Sequence, residues 1–224
     1  MSITEKNGFQ QWRRNLNSRI RARRIDARNQ TLYGPHAPQF AERLWVPTAE
    51  LQYAVKAGSA KDSARVIDQW PANRVIRVID IDTIRACLQH WRDGVSWEDT
   101  GIIERMMRHI REHGKVDRLS TLAQVEARYD ELDRLFEAVT RAGQLSPRQA
   151  LIAGNVREEG GPLVHIGPDG APYFGRKGHH RLAIALAGNL DYLPAQLGVV
   201  HVDGLSGLMR LRSCGPGIDQ RQPA

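Results

Sequence analysis

Near residue 163 the hydrophobic period of the chain changes from helical to extended, and this change narrows the choice of fold more than any other pattern. Leu163–Ile166 and Pro172–Phe174 read as short strands, with a Pro-Asp-Gly turn at 168–170 between them. A helix then runs from Gly178 to Gly188, and the apolar run 194–202 predicts a buried strand. Strand, turn, strand, helix and strand in this order predict a compact α/β unit.

Four segments before this unit also carry regular patterns. The β-branched run 75–81 predicts a strand. Apolar residues at helical spacing then predict helices at 82–94, 96–114 and 120–143, each ending at a glycine. Residues suited to capping stand at the three starts: Asp82, Ser96, and Ser120 or Thr121.

The basic excess of the chain is concentrated at its N-terminus. Residues 1–30 hold eight Lys and Arg against Glu5 and Asp26, a balance of +6 within a net charge of +7. The apolar residues of this segment recur at spacings of three, four and four, as in an amphipathic helix: Phe9, Trp12, Leu16 and Ile20. Either this stripe packs on the body of the protein, or the helix binds an acidic surface of membrane lipid, nucleic acid or a partner.

Composition indicates a globular protein, with 41% hydrophobic and 25% charged residues. No apolar run approaches the roughly 18 to 20 residues of a membrane span. The N-terminus also lacks the apolar stretch of a secretory signal, so we expect a cytoplasmic location. Cys87 falls on the apolar face of the helix 82–94, and neither Cys87 nor Cys214 has a second cysteine at the spacing of a zinc site.

These patterns divide the chain into four parts. A basic amphipathic helix occupies residues 1–30, and a connector with a helical elaboration, including a short helix at 51–57, occupies 31–74. The α/β domain spans 75–205, and a tail rich in Gly, Pro, Gln and Arg spans 206–224.

The strand-to-helix turn ahead of Leu182 carries the residues of a phosphate site. Gly178 lets backbone approach a ligand closely, and the helix start offers unpaired N–H groups and a positive dipole end. The charged and proton-exchanging side chains here are Lys177, His179, His180 and Arg181. Arginine can hold phosphate oxygens through two bonds, and histidine can donate a hydrogen bond or accept a proton. A solvated basic turn is the simpler alternative.

The segment 174–188, FGRKGHHRLAIALAG, resembles the signature helix of the ParB/sulfiredoxin superfamily. The long helix before it and the strands around it follow the order of that superfamily, and the resemblance covers roughly residues 75–203. The segments 97–100, 128–129 and 165–170 are also similar to uncharacterised ParB-like proteins of bacteria and archaea. The resemblance implies an α/β (α+β) fold with a mixed sheet and helices.

Within this superfamily, members with different activities have different residues at the position of His179. Sulfiredoxins have their catalytic cysteine there, so histidine argues against sulfinic-acid reduction, and chromosome-partition ParB proteins typically have glutamate followed by arginine. The free-serine kinases of this fold have Asp-Gly-His-His-Arg, which matches 178–181. The resemblance therefore implies a nucleotide-binding phosphotransferase. Lys177 stands where those kinases have aspartate, which puts the placement of a metal ion in doubt. Either the lysine supplies the positive charge that a metal would supply, or the site has lost catalysis and only binds a phosphate-bearing ligand.

The resemblance also implies roles for single residues. The phosphates of ATP or ADP, with CTP as an alternative and Mg²⁺ as a companion ion, would be held by Lys177, Gly178, His179, His180, Arg181 and Arg128. Glu98 is the first choice for the catalytic base, although it also suits the first turn of a helix. The other candidates for catalysis are Asp80 and His180, and Asp82, Glu158 and Glu159 stay open.

Three functions remain at this point. The first is a kinase acting on a hydroxyl of a small molecule or glycan. The second is a ParB-like protein that associates with DNA, uses its arginine-rich N-terminus on phosphates and is grouped with nucleases through its fold. The third is a catalytically silent nucleotide sensor.

Overall fold

A computed structural model describes residues 3–217 of the chain, with side chains from residue 10 onward. Within that range seven strands form one mixed sheet in the order β1-β7-β5-β6-β2-β4, and β3 pairs with β7 beyond the end of β1. The predicted α/β class is confirmed. No helix in the described part of the chain is long and apolar enough to cross a membrane.

The predicted N-terminal helix is present as α1, Ile3–Tyr33. It packs on the body through Ser18, Ala22 and Asn29, all buried. The Asn29 amide donates to the carbonyl oxygens of Pro38 at 2.7 Å and Ala64 at 2.8 Å. Small side chains, one amide and the partly buried Ile25 thus make the contact that fixes this helix to the domain.

The apolar stripe of α1 does not make that contact. Trp12, Leu16 and Ile20 are 59%, 43% and 58% exposed, and we refer to these three residues as the outer stripe. Of the two alternatives left open by the sequence, packing of the stripe on the body does not hold for these three residues, because the opposite face of the helix is the one that docks. The side chain of Phe9 lies outside the described residues.

The segment 31–74, expected to be a connector with a helical elaboration, contributes three strands. These are β1 at Arg43–Pro47, β2 at Tyr53–Ala54 and β3 at Val66–Ile67. The short helix expected at 51–57 is wrong, because β2 occupies its middle and pairs with β6. Each of these strands pairs with a strand more than a hundred residues away, so no local sequence pattern predicts it.

The strand expected at 75–81 is much shorter. Only β4, Ile76–Arg77, pairs with β2, and residues 78–80 form a 3₁₀ turn. Val78 and Ile81 are buried in the core, whereas Ile76 and Ile79 are exposed. The β-branched run thus supplies two core residues from a turn at the edge of the sheet.

The three predicted central helices are present, as α2 (Asp82–Asp93), α3 (Ile102–His113) and α4 (Leu122–Ala142). The start predicted for α3 at Ser96 is wrong, because residues 97–101 form turns before the helix begins. Thr121 caps α4 by accepting from the N–H of Gln124. The residues predicted to cap α2 and α3 do not cap these two helices. Ser96 caps the turn before α3, and Asp82 is the first residue of α2, where it binds Arg85 and Arg105.

The C-terminal α/β unit has the predicted order, with β5 (Leu163–Ile166), β6 (Pro172–Phe174), α6 (His179–Ala187) and β7 (Tyr192–His201). A short helix α5, Arg148–Leu151, precedes it. Helix α6 packs on α2 and against the sheet, with a fully buried middle turn. The sheet and α2 therefore hold the start of α6 in a fixed position.

The first part of the expected tail is a helix, α7, Leu205–Arg212. Arg212 binds the carboxylate of Glu42 and the carbonyl oxygens of His36 and Ala37, which ties α7 to the segment between α1 and β1. Residues 218–224 of the expected tail lie outside the described range.

Candidate phosphate-binding site

The candidate site is built on the sharp entry into α6. Gly178 has a φ of +88°, and a Cβ placed there would lie 2.8 Å from the Cα of Pro162. Only glycine fits this conformation beside that backbone. The first N–H groups of α6 have no carbonyl partner within the helix, because helix geometry leaves the first turn of donors free. The sequence prediction of a glycine-led helix start is confirmed.

Arg181 lies deep in this site. Its guanidinium donates to the carbonyl oxygen of Ser146, while its Nε is buried and has no hydrogen-bond partner among the described residues. Burial lowers the pKa of Arg181, the charge of Glu158 opposes that shift and Arg148 adds to it. The Nε of Arg148 is likewise buried without a described partner. Two guanidinium groups thus approach each other with unused donors.

Glu158 does not use up those charges. It is fully buried, and its Oε1 accepts from the N–H of Arg148 at 2.5 Å while its Oε2 accepts from the N–H of Gln149 at 3.4 Å. The carboxylate therefore caps α5 and makes no ion pair with Arg181 in the described chain. Its negative charge partly offsets the positive charges of the two arginines, and its oxygens accept hydrogen bonds from backbone N–H groups.

The two histidines of the motif are neutral at neutral pH. Burial, followed by Arg128 and His179, lowers the pKa of His180 to about 4. Burial, followed by Arg176, lowers the pKa of His179. The Nε2 of His180 is buried and has no described partner, and its ring lies edge-on to Tyr129 with centroids 6.2 Å apart. An anion bound here would raise both pKa values by favouring the charged rings.

A basic cleft adjoins the turn that precedes the motif. It has a volume of about 490 Å³ and lies between the loop 56–60 and the turn 175–177. Lys56, Arg176 and Lys177 line it, and we call it the basic cleft. Burial lowers the pKa of Lys177, while Glu159 raises it. The cleft has room and charge for a phosphate-bearing ligand beside the start of α6.

The structure brings some of the predicted site residues together and leaves others apart. Arg128 acts on His180 through its charge and so belongs with the motif. Glu98 is exposed in the turn before α3, and Asp80 is exposed in the turn after β4. Neither carboxylate bonds to the motif anywhere in residues 10–217, so their catalytic role stays a prediction. Asp82 is held by Arg85 and Arg105.

Two residues that the sequence reasoning missed act on the site. Asp117 is the carboxylate whose charge opposes the pKa shifts of both His179 and His180. It has a φ of +48°, in a tight turn between α3 and α4. Arg148 is the other, and its proximity to Arg181 follows from the fold of the loop before β5. No local motif marks either residue.

The site residues do not fit a Mg²⁺ ion held by the protein. The groups around 177–181 are cationic or neutral, whereas magnesium prefers carboxylate and other oxygen ligands. Over the described range no three His, Cys, Asp or Glu side chains come together as metal ligands. His109 and His113 stack at 5.4 Å on α3, and no third ligand joins them there.

A larger cavity of about 810 Å³ lies at the other end of α6. Arg92 and Asp191 are among its lining residues, and Arg92 already donates to the carbonyl oxygen of Leu186. Its buried, unpartnered polar group is the hydroxyl of Thr48. The α6 start, with its unused cationic donors, is therefore the better candidate for an anionic ligand.

Comparison with protein-family models, with curated proteins and with solved structures finds no match to this chain. The resemblance to the ParB/sulfiredoxin superfamily therefore stays a prediction that rests on the motif residues. Between residue 188 and residue 217 the regular elements are β7, a 3₁₀ turn and α7, so this stretch lacks the helix pair of a helix-turn-helix.

Proposed function

We propose that the protein is a nucleotide-binding phosphotransferase that holds the phosphates of its nucleotide at the start of α6. One observation carries the proposal. Three side-chain nitrogens are buried without a described partner, two of them on the first turn of α6 and one on Arg148, whose charge acts on Arg181: Nε2 of His180, Nε of Arg181 and Nε of Arg148. A buried donor left unsatisfied costs about 1–3 kcal/mol, and phosphate oxygens would satisfy these groups and neutralise the charge.

ATP or ADP is the expected donor, whereas CTP is the nucleotide that the alternative ParB-like function would bind. The acceptor is a hydroxyl of a small molecule or a glycan, as the resemblance to the kinases of this fold implies. In the transfer, the bond between the terminal phosphorus and its bridging oxygen breaks, and the acceptor oxygen bonds to that phosphorus. The shortened nucleotide leaves with the bridging electron pair, and the proton of the hydroxyl passes to a base. Arg181, Lys177 and the N–H groups of α6 would stabilise the charge on the phosphoryl oxygens.

Four residues are candidates for the catalytic base. Neutral His180 can take a proton, and Asp117 is the carboxylate with an electrostatic effect on the motif histidines. Glu98 and Asp80 remain candidates from the resemblance. Lys177 stands where those kinases have an acidic residue, so it would supply positive charge that a metal supplies elsewhere. The cytoplasm, with its pool of nucleoside triphosphates, is the compartment that suits this reaction.

Titration calorimetry with ATP, ADP and CTP, each with and without Mg²⁺, tests the proposal. We expect ATP or ADP to bind the wild-type protein, and Arg181→Ala to weaken binding at least about tenfold, because a charged hydrogen bond to phosphate is worth roughly 1.5–3 kcal/mol. Arg92→Ala is the matched control, since Arg92 also donates to a backbone carbonyl at α6 but at the far end of the helix. It should bind as the wild type does.

The outcomes separate the candidate functions. Binding of CTP alone would favour the ParB-like reading, with DNA as the partner to examine. Tight ATP binding without transfer to any tested hydroxyl would favour a nucleotide sensor. If no nucleotide binds, or if Arg92→Ala loses as much affinity as Arg181→Ala, the proposal fails.

A further inference from the structure

Helix α1 has two distinct faces. Its inner face docks on the domain through Ser18, Ala22 and Asn29, as described above. Counting 100° per residue, Leu16 lies about 200° around the helix from Ser18, so the outer stripe points away from the domain. Its members are spaced four residues apart and form a nearly straight apolar line.

Arginines border the outer stripe on both sides. By the same helical count, Arg19 lies along one border and Arg13 and Arg24 lie along the other, while Arg23 falls within the angular span of the stripe, about one turn beyond Ile20. All four are exposed. Long arginine stems can lie along an apolar surface while their charged ends reach out to its polar rim.

No acidic side chain balances this face within residues 10–33. Asp26 is the one acidic residue of that range, and it lies on the inner side. Its carboxylate accepts from Arg157 at 2.7 Å and from the N–H of Phe40 at 2.7 Å. Over residues 10–33 the outer face therefore combines a narrow apolar line with an excess of basic over acidic side chains.

We propose that the outer face of α1 binds the surface of an anionic lipid bilayer. Trp12, Leu16 and Ile20 would enter the boundary between headgroups and acyl chains, and the bordering arginines would pair with lipid phosphates. Because the docked face lies opposite, the sheet and the α6 site would stand above the membrane. The proposal is independent of the nucleotide at α6.

The charge and polarity of the outer face select this partner. A second copy of the chain would bring two sets of arginines together, and residues 10–33 provide no acidic group on this face to separate them, so the two copies would repel. A nucleic acid would pair with the arginines through its phosphates but would leave the apolar line in water. An anionic bilayer offers negative charge and an apolar layer at the depth that a helix lying in the interface reaches.

Co-sedimentation of the full chain with lipid vesicles tests the proposal. Vesicles of phosphatidylcholine alone are compared with vesicles that also contain phosphatidylglycerol. We expect binding to the anionic vesicles only, and weaker binding as salt screens the arginines. The double variant Leu16→Glu/Ile20→Glu should lose at least about tenfold in affinity, because it places charge within the apolar line.

A matched double variant controls for the added charge. Leu122 and Leu135 are apolar residues on α4 with exposure like that of Leu16, at 46% and 40%. Leu122→Glu/Leu135→Glu should keep full vesicle binding. Unchanged circular dichroism and Tm in both double variants show that folding is intact, as expected for exposed positions.

The other partners give different results. A DNA duplex that binds while anionic vesicles do not would overturn the proposal in favour of nucleic acid. A protein that is dimeric in solution, and that Leu16→Glu/Ile20→Glu makes monomeric, would overturn it in favour of a second copy. Absence of vesicle binding at low salt, or equal loss in the two double variants, would also overturn it.

Discussion

His165 lies at an irregular point of the sheet, between two glycines. Val164 pairs with Leu197 and Ile166 pairs with Val200, so β7 has one residue more than β5 opposite His165. The Nδ1 of His165 accepts the N–H of Val199 at 2.9 Å, which satisfies a donor that the bulge removes from the ladder. A Cβ on Gly198 would lie 2.2 Å from Nδ1, and one on Gly175 would lie 2.8 Å from Nε2.

This arrangement makes His165 sensitive to acid. Burial lowers its pKa to about 4, and a proton on Nδ1 would also oppose the N–H of Val199. A folded-state pKa below the usual 6.5 means that the unfolded chain takes up the proton first as the pH falls. The stability from neutral His165 is therefore full above about pH 6.5 and is lost between about pH 6.5 and pH 4.

We expect His165→Asn to reduce this loss, because asparagine can accept from Val199 without titrating. The acid-induced decrease in the free energy of unfolding should shrink by roughly 3 kcal/mol, the equivalent of about two and a half pKa units. Urea unfolding at about pH 7 and about pH 4 measures it. His109→Asn, at an exposed position, should change nothing. Equal acid losses in the wild type and His165→Asn would contradict the assignment.

The start of α6 depends on the backbone of Gly178 as well as on the charges near it. A Cβ at Gly178 would collide with Pro162, whereas a Cβ at Gly94, which ends α2 with a φ of +72°, has nothing within 4 Å. Both positions strain an alanine by about 1–2 kcal/mol through their left-handed backbone.

We expect Gly178→Ala to destabilise the protein more than Gly94→Ala, because it adds a steric clash to the same strain. The excess should be about 1–3 kcal/mol in the free energy of unfolding. Urea denaturation of the two variants gives the difference. Equal losses would mean that Pro162 moves aside and that the close approach does not determine where α6 begins.

The helices were predictable from sequence because each carries its own signals. Apolar periodicity and a terminal glycine gave α2, α3 and α4, and they gave α6 together with the motif. The strands β2, β3 and β4 have two residues each, so they carry no period that could be detected. Strands β2 and β3 pair with strands more than a hundred residues away, and β4 pairs only with β2, so only the assembled sheet defines them. Helix α7 was likewise missed inside a segment that was expected to be a tail.

The candidate site was likewise predictable only where its residues are close together in the sequence. The motif Gly178–Arg181 is local, and its placement at a helix N-terminus followed from the turn and the glycine. Arg148 and Asp117 come from loops whose positions depend on tertiary packing. The sequence also could not show that burial keeps His179 and His180 neutral, because burial belongs to the folded chain.

Strand β7 holds the sheet together. It pairs with β5 on one side, and with β1 and then β3 on the other. Nine of its ten residues are buried. Strand β4, at the far edge, pairs only with β2 and is exposed. Stability should therefore be unevenly distributed across the sheet.

Hydrogen exchange can measure this distribution. The amides of Leu197 and Val200 should exchange only through global unfolding, with rates that rise in urea as steeply as the global m-value requires. The amide of Arg77 in β4 should exchange at least about a hundredfold faster, through local opening, and should respond little to urea. Similar rates and urea slopes in β7 and β4 would show that the sheet opens as one unit.

The pairing of β1 with β7 sets a condition on how the chain folds as it is made. Strand β1 leaves the ribosome first but can form its pairing only after β7 has been made, because residues 43–47 pair with residues 192–196. The bond from Arg212 to Glu42 comes later still. Meanwhile α2, α3 and α4 can form from local contacts while β1 stays unpaired and open to other strands. A nascent chain of this topology should therefore keep β1 unpaired until residue 196 has been synthesised.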